Sequence, residues 1–235
     1  MPLVIAVLKG AIARSWKSRL AMGGRENSTN SHQPCREGNP EGLPAGEQSN
    51  WETISADLTI TQRDLPHWQV GGATYFITFR LKGHAGPETS GTGVSPVDAA
   101  LSSLTPFERT IVRDAILFWH GRKWMVDALT VMPDHVHILA TSLERSPGEW
   151  FSLAELMHSV KSFTAHKIQR LSGVSGAFWQ SERYDRVNRN EFEFYQKATY
   201  ILENAQRRGL VEHGWEYEWF WCPGKEELRG RVGRG

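Results

Sequence analysis

The chain is poor in several features that would fix a function class at once. Only two cysteines occur in 235 residues, Cys35 and Cys222, far apart and without a CxxC pair. A disulfide framework and a cysteine-rich zinc site are thereby excluded, and a reducing, cytoplasmic compartment is expected. No apolar run approaches the roughly 20 residues that cross a bilayer. The longest near the start, 3-LVIAVL-8, is followed rather than preceded by Lys9, Arg14, Lys17 and Arg19, the reverse of a secretory signal. No membrane association is expected. Net charge is only +1, so overall charge does not announce a nucleic-acid partner. No internal repeat is visible.

Local composition says more. Residues 22–50 are rich in Gly, Pro, Ser and Asn and hold almost no large apolar side chain. A disordered or poorly ordered extension is expected over 1–50. A folded domain is expected over 51–211, followed by a C-terminal tail over 212–235 that is aromatic and acidic over 212–224. Charge is uneven as well: Lys161 to Arg208 holds nine Lys/Arg against five acids, a segment basic enough to permit a polyanion. Ten tryptophans are many for this length. Trp179, Trp215, Trp219 and Trp221 lie in polar surroundings and are candidate stacking or packing platforms at a surface; for the three C-terminal ones, packing against the sheet is favoured over stacking on bases.

The spacing predicts a coarse order β-α-β-β-α-β-α. The first strand is 74-TYFITFRL-81, entered through Gly71-Gly72. A helix follows over 105–122, with Thr105, Pro106 and Glu108 as a capping box and a proline start. Residues 124–141 read as a hairpin turning at Pro133-Asp134. A second helix covers 151–171 behind Ser152, and short strands fill 177–188. Asn190 caps a third helix over 191–209, closed by Gly209. Mixed elements around a central antiparallel hairpin point to an α+β sandwich, an antiparallel sheet with helices packed on one face.

The hairpin carries the chemistry. In 130-TVMPDHVHILAT-141, His135 and His137 flank Val136, so on a strand both imidazoles leave one face. Two neutral imidazoles are half of a divalent-metal site; a pair of core histidines is the plainer alternative. Tyr200 and Asn204 stand at i and i+4 on the third helix and share a face. The Asn204 amide oxygen is a candidate third ligand for Mg²⁺ or Mn²⁺, and a helix C-cap is its other reading. A tyrosine hydroxyl is a poor nucleophile at neutral pH, but beside a metal-held phosphate it becomes competent. Tyr195 competes with Tyr200 but has Thr199, not a ligand, at i+4.

The ordered blocks YFITFRL, MPDHVHILA, SVKSFTAHKI, WQSERYDRVNRNEFEF and YILEN resemble the REP-associated tyrosine transposases, relatives of the single-tyrosine insertion-sequence transposases in the HUH superfamily. The resemblance covers about Gly71 to Val211. It implies a ferredoxin-like (RRM-like) fold with His135 and His137 on a central strand as metal ligands and Asn204 in the place of the third. Tyr200 becomes the nucleophile that cleaves single-stranded DNA, leaving a 5′-phosphotyrosyl link and a free 3′-OH. The implied partner is single-stranded or hairpin DNA of the repetitive extragenic palindrome kind, met at the nucleoid by a monomer or homodimer. Lys161, Lys167, Arg183 and Arg186 fall in blocks that face DNA on this reading. A solvated helix face for the lysines, and pairing of Arg183, Arg186 and Arg189 with Glu182, Asp185 and Glu191, are the alternatives. Two departures stand out. Many relatives carry Asn-Pro where this chain has Asn204-Ala205. Asp134 stands where relatives often carry Asn or Glu, and is expected to be a turn residue of low consequence. A repeat-DNA binder that no longer cuts is the second functional reading, and an unrelated metallohydrolase using the two histidines a distant third.

Overall fold

Runs of β-branched and aromatic residues build the middle of the sheet, since their stiff side chains suit a pleated surface covered on both sides. The computed structural model describes residue 10 and residues 59–62, 66–82, 103–173, 175–181 and 183–226. Nearly all of the extension expected over 1–50, and the loop expected over 84–98, lie outside them. In chain order come β1 (Thr59–Gln62), β2 (Pro66–Gln69), β3 (Thr74–Arg80), α1 (Pro106–Phe118), β4 (Trp124–Val131), β5 (His135–Ser142), β6 (Glu144–Ser146), β7 (Glu149–Trp150), α2 (Leu153–Ser172), β8 (Tyr184–Val187), α3 (Glu191–Arg207) and β9 (Phe220–Trp221), the last preceded by a 3₁₀ turn over Gly214–Glu216. Strands β8-β3-β5-β4-β9 form one antiparallel sheet, while β1-β2 and β6-β7 are separate two-stranded ladders. Counting β3, β4, β5 and β8 as first to fourth, the spatial order is fourth, first, third, second, with α1 and α2 as the crossovers. This is the expected α+β, ferredoxin-like arrangement, with the histidine strand β5 at its centre.

Local chemistry fixes the helix starts. Thr105 accepts from the Glu108 N–H at 3.3 Å while Glu108 accepts from the Thr105 N–H at 2.7 Å, and Pro106 opens α1. Ser152 accepts from the Glu155 N–H at 3.0 Å, and Gly173, at φ 71°, ends α2. Asn190 accepts from the Glu193 N–H at 2.8 Å to open α3.

Side-chain alternation sorts the two faces. Phe79, Val136 and Ile138 point toward α1 and α2, where Trp179 meets Phe79 edge-on at 4.8 Å and the Trp124 indole N–H donates to the Ile116 carbonyl at 3.1 Å. Phe76, Thr78 and Arg80 share the opposite face with His135 and His137 through their register on β5. The crossover helices keep to one face, and α3 adds a layer over the other. Phe194, Ala198, Ile201, Leu202 and Ala205 are the buried apolar residues of α3.

The aromatic residues after Val211 pack into this fold, so the chain past the expected domain end at 211 is part of the structure. Strand β9 pairs with β4 (Thr130 opposite Phe220), and Trp215, Tyr217, Trp219, Phe220 and Cys222 are buried. The Tyr217 hydroxyl donates to the Val131 carbonyl at 3.0 Å, and the Trp219 indole N–H to Thr110 at 3.1 Å. A methyl on Gly214 would overlap the Leu202 carbonyl, which is why the 3₁₀ turn can lie directly on α3. Among the described residues, no helix is long and apolar enough to cross a membrane.

Candidate active site: a histidine pair beneath a tyrosine helix

A two-residue turn sets the first half of the site. The Met132 N–H donates to the His135 carbonyl at 2.8 Å, closing the hairpin over Pro133-Asp134 and launching β5 with both imidazoles on the α3 face. The rings lie 4.6 Å apart and both residues are buried. His137 Nδ1 meets the Thr78 hydroxyl of β3 at 2.7 Å, and its Nε2 is buried with no hydrogen-bond partner. Burial first, and then the neighbouring His135 and Arg80, hold the His137 pKa well below 6.5, so the ring is neutral and keeps a lone pair for a ligand.

His135 is held differently. Its Nδ1–H donates to the Asp134 carboxylate at 2.8 Å. Arg208, just past the end of α3, donates to both oxygens of that carboxylate at 2.7 and 3.2 Å, and Arg80 stands 3.8 Å away. Burial alone would push the Asp134 carboxyl up, but the hydrogen bonds and charges of His135 and Arg208 outweigh it and hold it far below the usual carboxylate range. Asp134, expected to be a turn residue of low consequence, is instead a buried hub that fixes the ring beside it.

Helix α3 supplies the second half. The Tyr200 ring lies edge-on to His137 at 5.1 Å and to Phe76 at 6.0 Å. Asn204, one turn on, is buried, and its side-chain oxygen has no hydrogen-bond partner. Because α3 runs on to Arg207, Asn204 is interior to the helix and does not cap it. Ala205 lets the helix continue where a proline would break it. Tyr195, the competing tyrosine, packs on Phe194, and burial followed by Glu191 pushes its hydroxyl pKa up, the wrong direction for a nucleophile.

Two buried polar atoms without partners, His137 Nε2 and Asn204 Oδ1, therefore lie on the side of the sheet that carries Tyr200. Buried polar atoms are normally satisfied. An imidazole nitrogen and an amide oxygen, with the Nε2 of His135, make a donor set that fits a divalent ion with positions left over for phosphate oxygens or water. No cluster of three His, Cys, Asp or Glu that could hold a metal ion occurs among the described residues.

The basic residues divide. Lys161 and Lys167 sit on α2, across the sheet from Tyr200, and Lys161 donates to the backbone carbonyls of Gln180 and Ser181. Arg183 is 3.6 Å from Asp185, which pairs with Ile77 and so belongs to the far face. Of the four cations expected to face DNA, only Arg186 shares the α3 face, opposite Phe76 and 2.6 Å from Glu193. Other cations occupy that face unforeseen. The Lys197 ammonium lies 4.8 Å from the Phe76 ring centre, and the Arg207 guanidinium 5.6 Å from that of Tyr200. Their spacing from Tyr200, three before and seven after, is a same-face signal that the sequence already holds.

Comparison with solved structures places this fold. It superposes on that of a REP-associated tyrosine transposase bound to a REP hairpin with a TM-score of 0.51, at 18% identity, over 68% of this chain and 82% of that one. A candidate transposase from Deinococcus radiodurans R1 aligns at 21% identity over 56% of this chain and 88% of its own, but with a TM-score of 0.31 it carries no argument. No family model and no curated protein matches the chain.

Proposed function

We propose that the protein is a metal-dependent single-strand DNA endonuclease and strand transferase of the REP-associated tyrosine transposase type, with Tyr200 as nucleophile. The observation that carries this is the meeting, on one sheet face, of Tyr200 with a neutral histidine whose Nε2 is buried and unpaired. The shared fold with a transposase bound to hairpin DNA supports it.

On this reading His135, His137 and Asn204 hold Mg²⁺ or Mn²⁺. An ion held there would supply Lewis-acid polarisation of a phosphate oxygen and would offset developing negative charge. The Tyr200 hydroxyl oxygen attacks phosphorus, its proton passing to solvent, and the 3′ oxygen leaves and takes up a proton, so that the 5′ phosphate of the downstream fragment ends on the tyrosine and the upstream fragment of the same strand ends in a 3′-OH. Attack by a 3′-OH on that phosphotyrosine rejoins strands and frees the tyrosine. Thr78 and Asp134 hold the two rings, and Arg186, Lys197 and Arg207 supply positive charge for the strand around Tyr200. The surroundings in a cell would be the cytoplasm and its nucleoid DNA.

The test is cleavage of labelled oligonucleotides carrying inverted repeats from the DNA that flanks the gene. Cleavage requiring Mg²⁺ or Mn²⁺, lost in His137→Ala while hairpin binding persists, is expected. Hairpin binding without cleavage in any divalent metal overturns the nuclease reading in favour of a repeat-DNA binder. Turnover of a small substrate that survives Tyr200→Phe would mark an unrelated hydrolase.

A further inference from the structure

Asp134 does two jobs with one carboxylate. Its backbone is fixed from two sides: the Leu81 N–H donates to the Asp134 carbonyl at 3.0 Å, and the Leu104 N–H to the Pro133 carbonyl at 2.6 Å. The turn is therefore anchored both to the end of β3 and to the approach to α1, and its carboxylate has a defined position. From there it accepts the Nδ1–H of His135 and both prongs of the Arg208 guanidinium. Arg208 in turn follows directly on α3, and its backbone N–H donates to the carbonyl of Asn204 at 3.3 Å. Four residues thus run in an unbroken chain of hydrogen bonds from the histidine strand to the turn of helix that carries Asn204. A guanidinium suits this place because its planar fork matches a carboxylate in two bonds at once, which a lysine cannot do.

We propose that Asp134 and Arg208 form a latch that docks the C-terminal end of α3 on the histidine strand and, through the same carboxylate, sets His135 to present Nε2 toward the site. They are positioning residues, and the inference rests on the metal reading above for its functional consequence. Ligand set and nucleophile helix are then coupled: loosening Arg208, which is bonded to neither histidine, weakens metal binding. Outer partners of ligating histidines typically matter by about 10- to 100-fold in metal affinity. Arg80, 3.8 Å from the same carboxylate, keeps Asp134 from becoming an unpaired buried charge when Arg208 is changed, so an Arg208 variant retains its fold.

The full chain is compared with Arg208→Met, Arg208→Lys and Asp134→Asn, using Arg145→Met as a control on a surface ion pair remote from the site. Three properties are read: the His135 tautomer by nitrogen-15 NMR without metal, the exchange of the Arg208 and Leu210 amides, and Mn²⁺ affinity by calorimetry. The parent is expected to show the Nδ1–H tautomer. Arg208→Met is expected to exchange those amides at least about tenfold faster and to bind Mn²⁺ about 10- to 100-fold more weakly, with Arg208→Lys between the two. Unchanged exchange and unchanged Mn²⁺ affinity in Arg208→Met overturn the latch. A parent that binds no Mn²⁺ defeats the metal reading separately, and the latch then stands or falls on the tautomer and the exchange. An Nε2–H tautomer of His135 in the parent overturns it whichever way the metal result falls.

Discussion

Replacing Trp219 by alanine tests whether the residues after 211 belong to the cooperative fold. Trp219 is 9% exposed, its indole N–H donates to Thr110, and the Arg109 guanidinium lies 3.6 Å from its ring centre. Truncating a buried tryptophan costs about 3–5 kcal/mol through lost contacts and the cavity left behind. Most of the polar fallout is cushioned, because Thr110 also donates to the Pro106 carbonyl and Arg109 also donates to the Tyr217 hydroxyl. The expected loss is therefore about 3–5 kcal/mol, a large part of the roughly 5–15 kcal/mol of a typical domain. Trp219→Phe, which keeps much of the apolar area but loses the hydrogen bond, should cost about 1–2 kcal/mol. Equilibrium urea unfolding followed by far-UV circular dichroism measures both. A Trp219→Ala loss below about 1 kcal/mol would refute the reasoning. So would unfolding of the end segment as a separate early phase, since either result means that β9 and its flanks are an appendage.

Four further outcomes follow from named residues. Burial pushes the Cys222 thiol up to about 12, so it should resist iodoacetamide at pH 8 in the folded protein and react fully in urea, as peptide mass spectrometry would show. His137 stays neutral in the fold at pH values where the unfolded ring, with a pKa near 6.5, takes up a proton. Its lowered pKa therefore costs no stability above pH 6.5 and erodes stability as pH falls below it, by up to about 1.4 kcal/mol per pH unit. Urea titrations of metal-free protein from pH 7.5 to 5 should show that slope, and an equal slope in His137→Gln would contradict it. Asp134 acts lower on the scale: its contribution is present above the ordinary carboxylate range and lost as pH falls through its depressed pKa. Lys161→Met should reduce thermal stability by loosening α2 from residues 180 and 181, with little direct effect on DNA affinity. A large drop in hairpin binding at unchanged stability would restore the lysine to the DNA surface.

Much of the fold was legible because short-range chemistry and long-range packing agree. Thr105, Ser152 and Asn190 cap the helices that their spacing predicts, and 124–131 and 135–142 pair around Pro133-Asp134 as a hairpin must. Alternation alone places His135 and His137 on one face, and i to i+4 spacing alone places Tyr200 with Asn204. That these two faces meet is a tertiary fact, which the resemblance of blocks implied and periodicity could not. Asp134 was misjudged because a turn residue is by default exposed; its importance comes from Arg208 and Arg80, distant in sequence. Lys161 looked like a cation for DNA because its sequence context cannot reveal the two backbone carbonyls waiting for it. The aromatic tail was ambiguous because stacking and packing use the same residues. Its burial is decided by the edge of β4, which is open to a further strand.

The central claim is that Tyr200 becomes covalently joined to DNA. The direct measurement incubates the full chain with a cognate repeat oligonucleotide and Mn²⁺, digests the product, and maps the nucleotide-bearing peptide by mass spectrometry. A 5′-phosphate on the peptide containing Tyr200, absent in Tyr200→Phe and absent with chelator, is the predicted result. A covalent adduct that persists in Tyr200→Phe, or one that maps to Tyr195 or any other residue, would contradict it.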